Sequence, residues 1–61
     1  MRIAVDLNGG DRAPKIVIKG MELALKLGYV EPSELLGLGT IQAVELAQKE
    51  NRLRDVLFLV C

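Results

Sequence analysis

The residues best suited to chemistry form one short loop near the amino terminus, Asp6-Leu7-Asn8-Gly9-Gly10-Asp11-Arg12-Ala13-Pro14. Gly9 and Gly10 permit positive φ and let backbone N–H groups approach an anion closely. Arg12 stands just before a predicted helix and offers a guanidinium fork to a phosphate or carboxylate. Asp6 can accept a hydrogen bond from a hydroxyl or orient Arg12. The residue types and their spacing predict an anion-binding loop made of Asp6, Asn8, Gly9, Gly10, Asp11 and Arg12.

The same loop also has a purely structural interpretation. A Gly-Gly pair is a common way to turn a strand into a helix, Asp11 is a good helix-capping residue, and Asp6 and Arg12 can pair with each other. The pattern is neither GxGxxG nor GxxxxGK(S/T), so the specific nucleotide fingerprints are absent. Residue types alone therefore leave two interpretations open, a phosphate-handling loop and a tight turn.

Two further segments carry reactive or loop-forming residues. Gly37-Leu38-Gly39-Thr40 is interpreted as a flexible turn with an N-cap at Thr40, because it follows a connector and not a strand. Cys61 is the only cysteine and the chain has no histidine, so no disulfide and no Cys-His nucleophile can form within it. We expect no metal and no cofactor, and we interpret Cys61 as an apolar residue at a strand end.

The elements that must position these residues alternate between strands and helices. Residues 2–6 and 55–60 are short apolar runs typical of buried strands. Apolar side chains at three- and four-residue spacing predict amphipathic helices at 14–27 and 40–51, the first closed by Gly28 in a left-handed cap.

This order predicts an α/β fold, a strand-helix-helix-strand unit within one domain over residues 1–61. Its parts are a strand-loop-helix piece (1–28), a connector (29–39) and a helix-strand piece (40–61), and the relative direction of the two strands stays open. A two-strand sheet is too narrow to be independently stable, and two helices cover only one of its faces. We therefore expect self-association into a dimer or a higher oligomer.

The composition excludes several classes of function. Eight basic and eight acidic residues cancel and are interspersed, which leaves no electrostatic footprint for nucleic acid or an anionic membrane. The first apolar run stops at Asp6, too short for a signal peptide, and nothing approaches the ~20 apolar residues of a membrane span. We expect a cytoplasmic protein with no nucleic-acid partner and no membrane span.

The opening segment MRIAVDLNGGDRAPKIVIKGMELAL closely resembles the start of the bacterial phosphate acyltransferases of phospholipid synthesis. The family usually has Ala-Met at Leu7-Asn8 and His at Arg12, and an arginine there keeps charge recognition of phosphate but not a proton-transfer role. Residues 40–61 resemble a later family segment, which implies that 29–39 replaces a longer stretch and that the chain is cut at its end. The matching positions in the opening segment are Asp6, Gly9, Gly10, Asp11, Ala13 and Pro14.

The resemblance implies an enzyme that transfers an acyl group from acyl carrier protein to inorganic phosphate, giving acyl phosphate for membrane lipid synthesis. It implies a larger α/β sheet, a dimer, and catalytic residues that lie beyond this chain, so no catalytic residue is assigned here. We expect the isolated chain to be inactive as an enzyme. The alternative is a non-catalytic, self-associating α/β module whose Gly-Gly loop is only a turn.

Overall fold

The computed structural model describes residues 2–61 and shows an α/β fold in that part of the chain. The predicted fold class is confirmed, and both predicted helices and both predicted strands are present. The elements are β1 (Ile3–Asp6), α1 (Lys15–Lys26), β2 (Leu35–Gly39), α2 (Ile41–Gln48) and β3 (Leu57–Val60), with 3₁₀ turns at Pro32–Glu34 and Asn51–Leu53.

The connector predicted at residues 29–39 is wrong in its second half, which forms β2. The fold is therefore strand-helix-strand-helix-strand, and each helix links two neighbouring strands. Gly37 and Gly39 are strand residues and not parts of a turn. Glycine weakens a strand interior, which is why the sequence pattern did not indicate a strand here.

All three strands are parallel, in the order β1-β2-β3. Ile3 pairs with Leu35 at the start of the first ladder, and Leu36 pairs with Leu57 at the start of the second. The strand direction that the sequence left open is therefore settled as parallel, the arrangement expected when a single helix connects successive strands.

Helix α1 ends in the predicted left-handed cap. Gly28 has φ +78°, its N–H donates to the carbonyl of Leu25 (3.2 Å), and the N–H of Tyr29 donates to the carbonyl of Ala24 (3.0 Å). These are the two hydrogen bonds of a Schellman motif. At the other end Pro14 occupies the N-cap position, and no side chain caps the helix.

Helix α2 begins at the predicted cap and ends earlier than predicted. The Thr40 hydroxyl accepts the N–H of Ala43 (3.3 Å), which confirms the N-cap at Thr40. The helix ends at Gln48, and a 3₁₀ turn at Asn51–Leu53 leads into β3, which begins at Leu57 rather than at residue 55.

One core joins both helices to a single face of the sheet. Because Val5 and Phe58 pack against this core and side chains alternate along a strand, the other face is formed by Ala4, Leu36, Leu38, Leu57 and Leu59. We call these five residues the open sheet face. The buried core residues are Leu7, Ile18, Met21, Leu35, Ala43, Val44, Ala47, Leu53 and Val56.

Candidate functional site

The first half of the β1–α1 loop is fixed by hydrogen bonds of its own. The Asp6 carboxylate accepts the N–H of Asn8 (3.0 Å), and the Asp6 carbonyl accepts the N–H of Gly9 (3.2 Å). Between them Leu7 is fully buried, and its N–H extends the ladder to Leu38 (2.8 Å). The chain therefore leaves β1 along a defined path, and the side chain of Asp6 orients the turn.

Asn8 ties this loop to the start of α2. Its side-chain carbonyl accepts the N–H of Thr40 (2.9 Å), and its side-chain N–H donates to the Thr40 hydroxyl (3.4 Å). Because the carboxyl ends of parallel strands meet at one edge of the sheet, the loops after β1 and β2 lie side by side. The sequence did not predict this pair, since recognising it requires β2.

Gly39 lets the two loops come this close. A Cβ added to Gly39 would lie 2.7 Å from the side-chain oxygen of Asn8 and 3.0 Å from the Cβ of Leu7. The Gly39 carbonyl also accepts the N–H of Cys61 (2.9 Å). The ends of all three strands are thus joined at the edge that carries the candidate loop.

The second half of the loop has backbone N–H groups that donate to no acceptor within residues 2–61. Gly10 adopts φ +96°, and its carbonyl accepts the N–H of Ala13 (3.4 Å). Among the hydrogen bonds formed by residues 2–61, none is donated by the backbone amides of Gly10, Asp11 or Arg12. Successive free amides after a residue with positive φ are typical of an anion-binding concavity.

The charges around these amides have both signs. Arg12 is exposed, Asp6 and Asp11 are exposed carboxylates, and the first turn of α1 has no acidic residue. The amino terminus of a helix carries about half a positive charge, so Arg12 and α1 favour an anion while the two aspartates oppose it.

Two structural roles suggested by the sequence are not found. Asp11 does not cap α1, because Pro14 occupies that position without a side-chain cap. The Asp6 carboxylate accepts from Asn8, and no hydrogen bond of residues 2–61 joins it to Arg12. Cys61 is a free, exposed thiol immediately after β3.

A separate cluster of charged side chains lies between α1 and the end of α2. A cleft of about 270 Å³ there includes Glu22 and Glu50 in its lining. Burial raises the pKa of Glu22, as do the repulsion of Glu50 and a shared hydrogen bond with it, while Lys19 and Arg52 act in the opposite direction. None of the predicted loop residues lines this cleft.

Two curated proteins are similar to nearly the whole of this chain. The phosphate acyltransferase of Petrotoga mobilis is 38% identical over 56 residues, which cover 92% of this chain and 17% of the relative. The phosphate acyltransferase of Thermotoga neapolitana is 37% identical over 65 residues, which cover 93% and 20%. The resemblance to the phosphate acyltransferases is confirmed. The chain spans about a fifth of the length of these relatives.

The two alignments differ on the expectation that residues 29–39 replace a longer stretch. The 56 positions aligned with the Petrotoga phosphate acyltransferase equal 92% of this chain, which leaves no room for a longer stretch in that relative. The 65 positions aligned with the Thermotoga phosphate acyltransferase exceed the part of this chain that they cover by about eight, so that relative has about eight more residues within the matched region. In this chain residues 29–39 contain β2. No protein-family profile matches the chain, and no solved structure matches it.

The described helices also bear on the membrane prediction. Neither α1 nor α2 is long and apolar enough to cross a bilayer.

Proposed function

We propose that the β1–α1 loop is the phosphate-contacting part of a phosphate acyltransferase site. The observation that carries this proposal is the run of three consecutive backbone amides, at Gly10, Asp11 and Arg12, without acceptors among residues 2–61. They lie at the carboxyl edge of a parallel sheet, where α/β proteins bind ligands. The similarity to two phosphate acyltransferases supports phosphate as the anion.

In this proposal the chain's own groups bind and orient phosphate. The amides of Gly10 and Asp11 donate to phosphate oxygens, and the Arg12 guanidinium supplies a charged, forked donor. Asp6 holds the turn through Asn8, and Asn8 fixes it against Thr40. A phosphate oxygen held in this way attacks the acyl carbonyl carbon, and the acyl carrier protein leaves as its thiolate.

The complete reaction requires groups beyond those in this loop. The chain has no histidine, and the loop has no serine, so the loop offers neither an imidazole base nor a hydroxyl nucleophile. We propose that the isolated chain binds phosphate without completing acyl transfer. We also propose that it acts in the cytoplasm, in fatty acid and phospholipid synthesis, and that it self-associates.

A second candidate function is a non-catalytic α/β module. The hydrogen bonds from Asn8 and Gly9 to Asp6, and from Ala13 to Gly10, close the turn without any ligand. In that case the Gly-Gly pair only connects β1 to α1, and phosphate has no effect on the protein.

Phosphate-dependent stability separates the two candidates. A ligand that binds only the folded state stabilises it by about 1.4 kcal/mol when its free concentration is about ten times Kd. We expect phosphate to raise the unfolding temperature more than sodium chloride does at equal ionic strength. An equal effect of both salts would contradict a phosphate site.

The matched variant is Arg12→Gln, which keeps a polar but shorter side chain without the charge. Losing a charge-assisted hydrogen bond should weaken phosphate binding about tenfold or more. If Arg12→Gln retains the full phosphate effect, Arg12 is not part of the site. An assay of acyl phosphate formation from acyl carrier protein tests catalysis separately, and we expect no turnover by this chain.

A further inference from the structure

A carboxylate belongs to the part of the loop that offers its amides to an anion. The amides without acceptors within residues 2–61 are those of Gly10, Asp11 and Arg12, so the side chain of Asp11 is attached to the middle residue of the three. We propose that the Asp11 carboxylate accepts a hydrogen bond from a protonated oxygen of phosphate and so makes the loop select phosphate over sulfate. This inference rests on the phosphate site proposed above and adds the residue that decides between two anions of the same shape.

The Asp11 carboxylate has no structural task within residues 2–61. It does not cap α1, whose N-cap position is occupied by Pro14. The hydrogen bonds that other side chains form at this edge of the sheet leave Asp11 out, and the residue is exposed. Both carboxylate oxygens of Asp11 are therefore available to a ligand held by the loop.

Asp6, the other carboxylate of the loop, is already bonded within the turn. It accepts the N–H of Asn8 (3.0 Å), and its own carbonyl accepts the N–H of Gly9 (3.2 Å). A carboxylate that holds the turn in this way cannot move toward an anion without releasing Asn8. The two aspartates thus have different roles, since Asp6 shapes the loop and Asp11 is left for the ligand.

The chemistry of the two anions determines what a carboxylate does beside them. Like charges close together repel, so a carboxylate opposes an anion that has no proton to share. An ionised carboxylate only accepts hydrogen bonds, and inorganic phosphate at neutral pH still carries at least one O–H group. Sulfate has the tetrahedral shape and the charge of doubly ionised phosphate but no proton. Because a hydrogen bond to an ionised group is short and strong, Asp11 attracts the protonated oxygen of phosphate and repels every oxygen of sulfate.

The other groups of the loop supply donors for the remaining phosphate oxygens. The free amides follow the positive φ of Gly10 (+96°), and the guanidinium of Arg12 has donors only. Donors alone bind phosphate and sulfate without distinguishing them. One acceptor placed among several donors does distinguish them, and Asp11 is the acceptor that the chain places there.

Parallel titrations with inorganic phosphate and with sulfate, at neutral pH and equal ionic strength, test this assignment. The amide NMR signals of Gly10 and Arg12 report binding of either anion. The parent chain should bind phosphate about tenfold or more tightly than sulfate, the effect of one charge-assisted hydrogen bond. Asp11→Asn keeps the shape of the side chain without its charge, and its amide can donate as well as accept. This variant should bind the two anions with nearly equal affinity, chiefly because it binds sulfate better.

Asp6→Asn is the matched control. It removes one negative charge from the same loop and keeps a side-chain oxygen that accepts the N–H of Asn8. It should raise the affinity for both anions by a similar factor and leave the preference for phosphate as in the parent. Asp11→Glu keeps a carboxylate and should retain part of the preference, which a merely structural role of Asp11 does not predict. Circular dichroism checks the fold of each variant, and Asp11→Ser replaces Asp11→Asn if the latter fails to fold.

Three results overturn the proposal, and they differ in what else they overturn. A parent chain that binds both anions equally removes the role of Asp11 and leaves an unselective anion loop. A preference for phosphate that survives in Asp11→Asn also removes it, and loss of the preference in Asp6→Asn then gives the role to Asp6. A parent chain that binds neither anion overturns the phosphate site itself together with this inference.

Discussion

At the scale of single residues, the candidate site depends on how tightly two loops meet. The side-chain oxygen of Asn8 accepts the N–H of Thr40, and the side-chain N–H of Asn8 donates to the Thr40 hydroxyl. Gly39 has no side chain and so leaves the space in which Asn8 lies. The β1–α1 loop is therefore fixed in place by the contacts of Asn8 with Thr40 and Gly39. The geometry of the loop thus depends on Gly39 and Thr40, which lie outside the motif at residues 6–14.

Gly39→Ala should destabilise the protein by about 1–3 kcal/mol, the usual cost of overpacking. The new methyl group would lie 2.7 Å from the side-chain oxygen of Asn8 and 3.0 Å from Leu7, which is fully buried. Chemical denaturation measures this change. Gly20→Ala is the matched control, because the added methyl meets no atom within 4 Å and should stabilise α1 by up to about 1 kcal/mol. Equal effects of the two substitutions would contradict the packing described for Gly39.

Glu22 gives the stability a dependence on pH. Burial and Glu50 raise its pKa, so the folded chain binds this proton more tightly than the unfolded chain. The resulting stabilisation is fully present below the unfolded pKa of about 4.3 and is lost as pH rises through the raised folded value. The contribution of Glu22 to the free energy of unfolding should therefore fall as pH rises across that window.

Glu22→Gln should remove this contribution to the pH dependence. At neutral pH it should also make the protein slightly more stable, within the ~0.5 kcal/mol typical of surface substitutions. Glu45→Gln removes one exposed carboxylate elsewhere on the helix layer and should keep the pH dependence of the parent. Identical pH profiles for the parent and Glu22→Gln would show that the raised pKa has no effect on stability.

At the scale of elements, the sequence predicted those whose pattern is local. Short apolar runs indicated β1 and β3, and helical spacing indicated α1 and α2. It did not predict β2, because Leu35–Gly39 contains two glycines. The contacts that require glycine at these two positions come from other parts of the chain. Gly37 lies under the ring of Phe58, and Gly39 faces Asn8. The loop could be predicted as a candidate site from its own residues. Its hydrogen bonds to Thr40 could not be predicted, because they depend on the position of β2.

The position of β2 can be tested at Gly37. A Cβ added there would overlap the ring of Phe58, so Gly37→Ala should destabilise the fold by about 1–3 kcal/mol. Phe58→Leu removes the ring and should relieve part of that cost in the double variant. A double-mutant cycle measures the coupling, expected at about 0.5 kcal/mol or more for residues in contact. Additive effects would argue against the register in which Gly37 pairs with Phe58.

At the scale of the whole molecule, the chain is a sheet covered by helices on one face. The loops after its parallel strands meet at one edge, which is where the free amides lie. The other face presents Leu57 and Leu59 to solvent.

The most direct test of the central claim is a phosphate titration of the intact chain followed by its amide NMR signals. If the β1–α1 loop binds phosphate, the signals of Gly10, Asp11 and Arg12 should shift together and saturate, with smaller changes at Gly9. The amide signals of α2 serve as the internal control and should not shift. No shift in the loop at millimolar phosphate, or shifts of equal size throughout the chain, would contradict the proposed site and leave the loop as a turn.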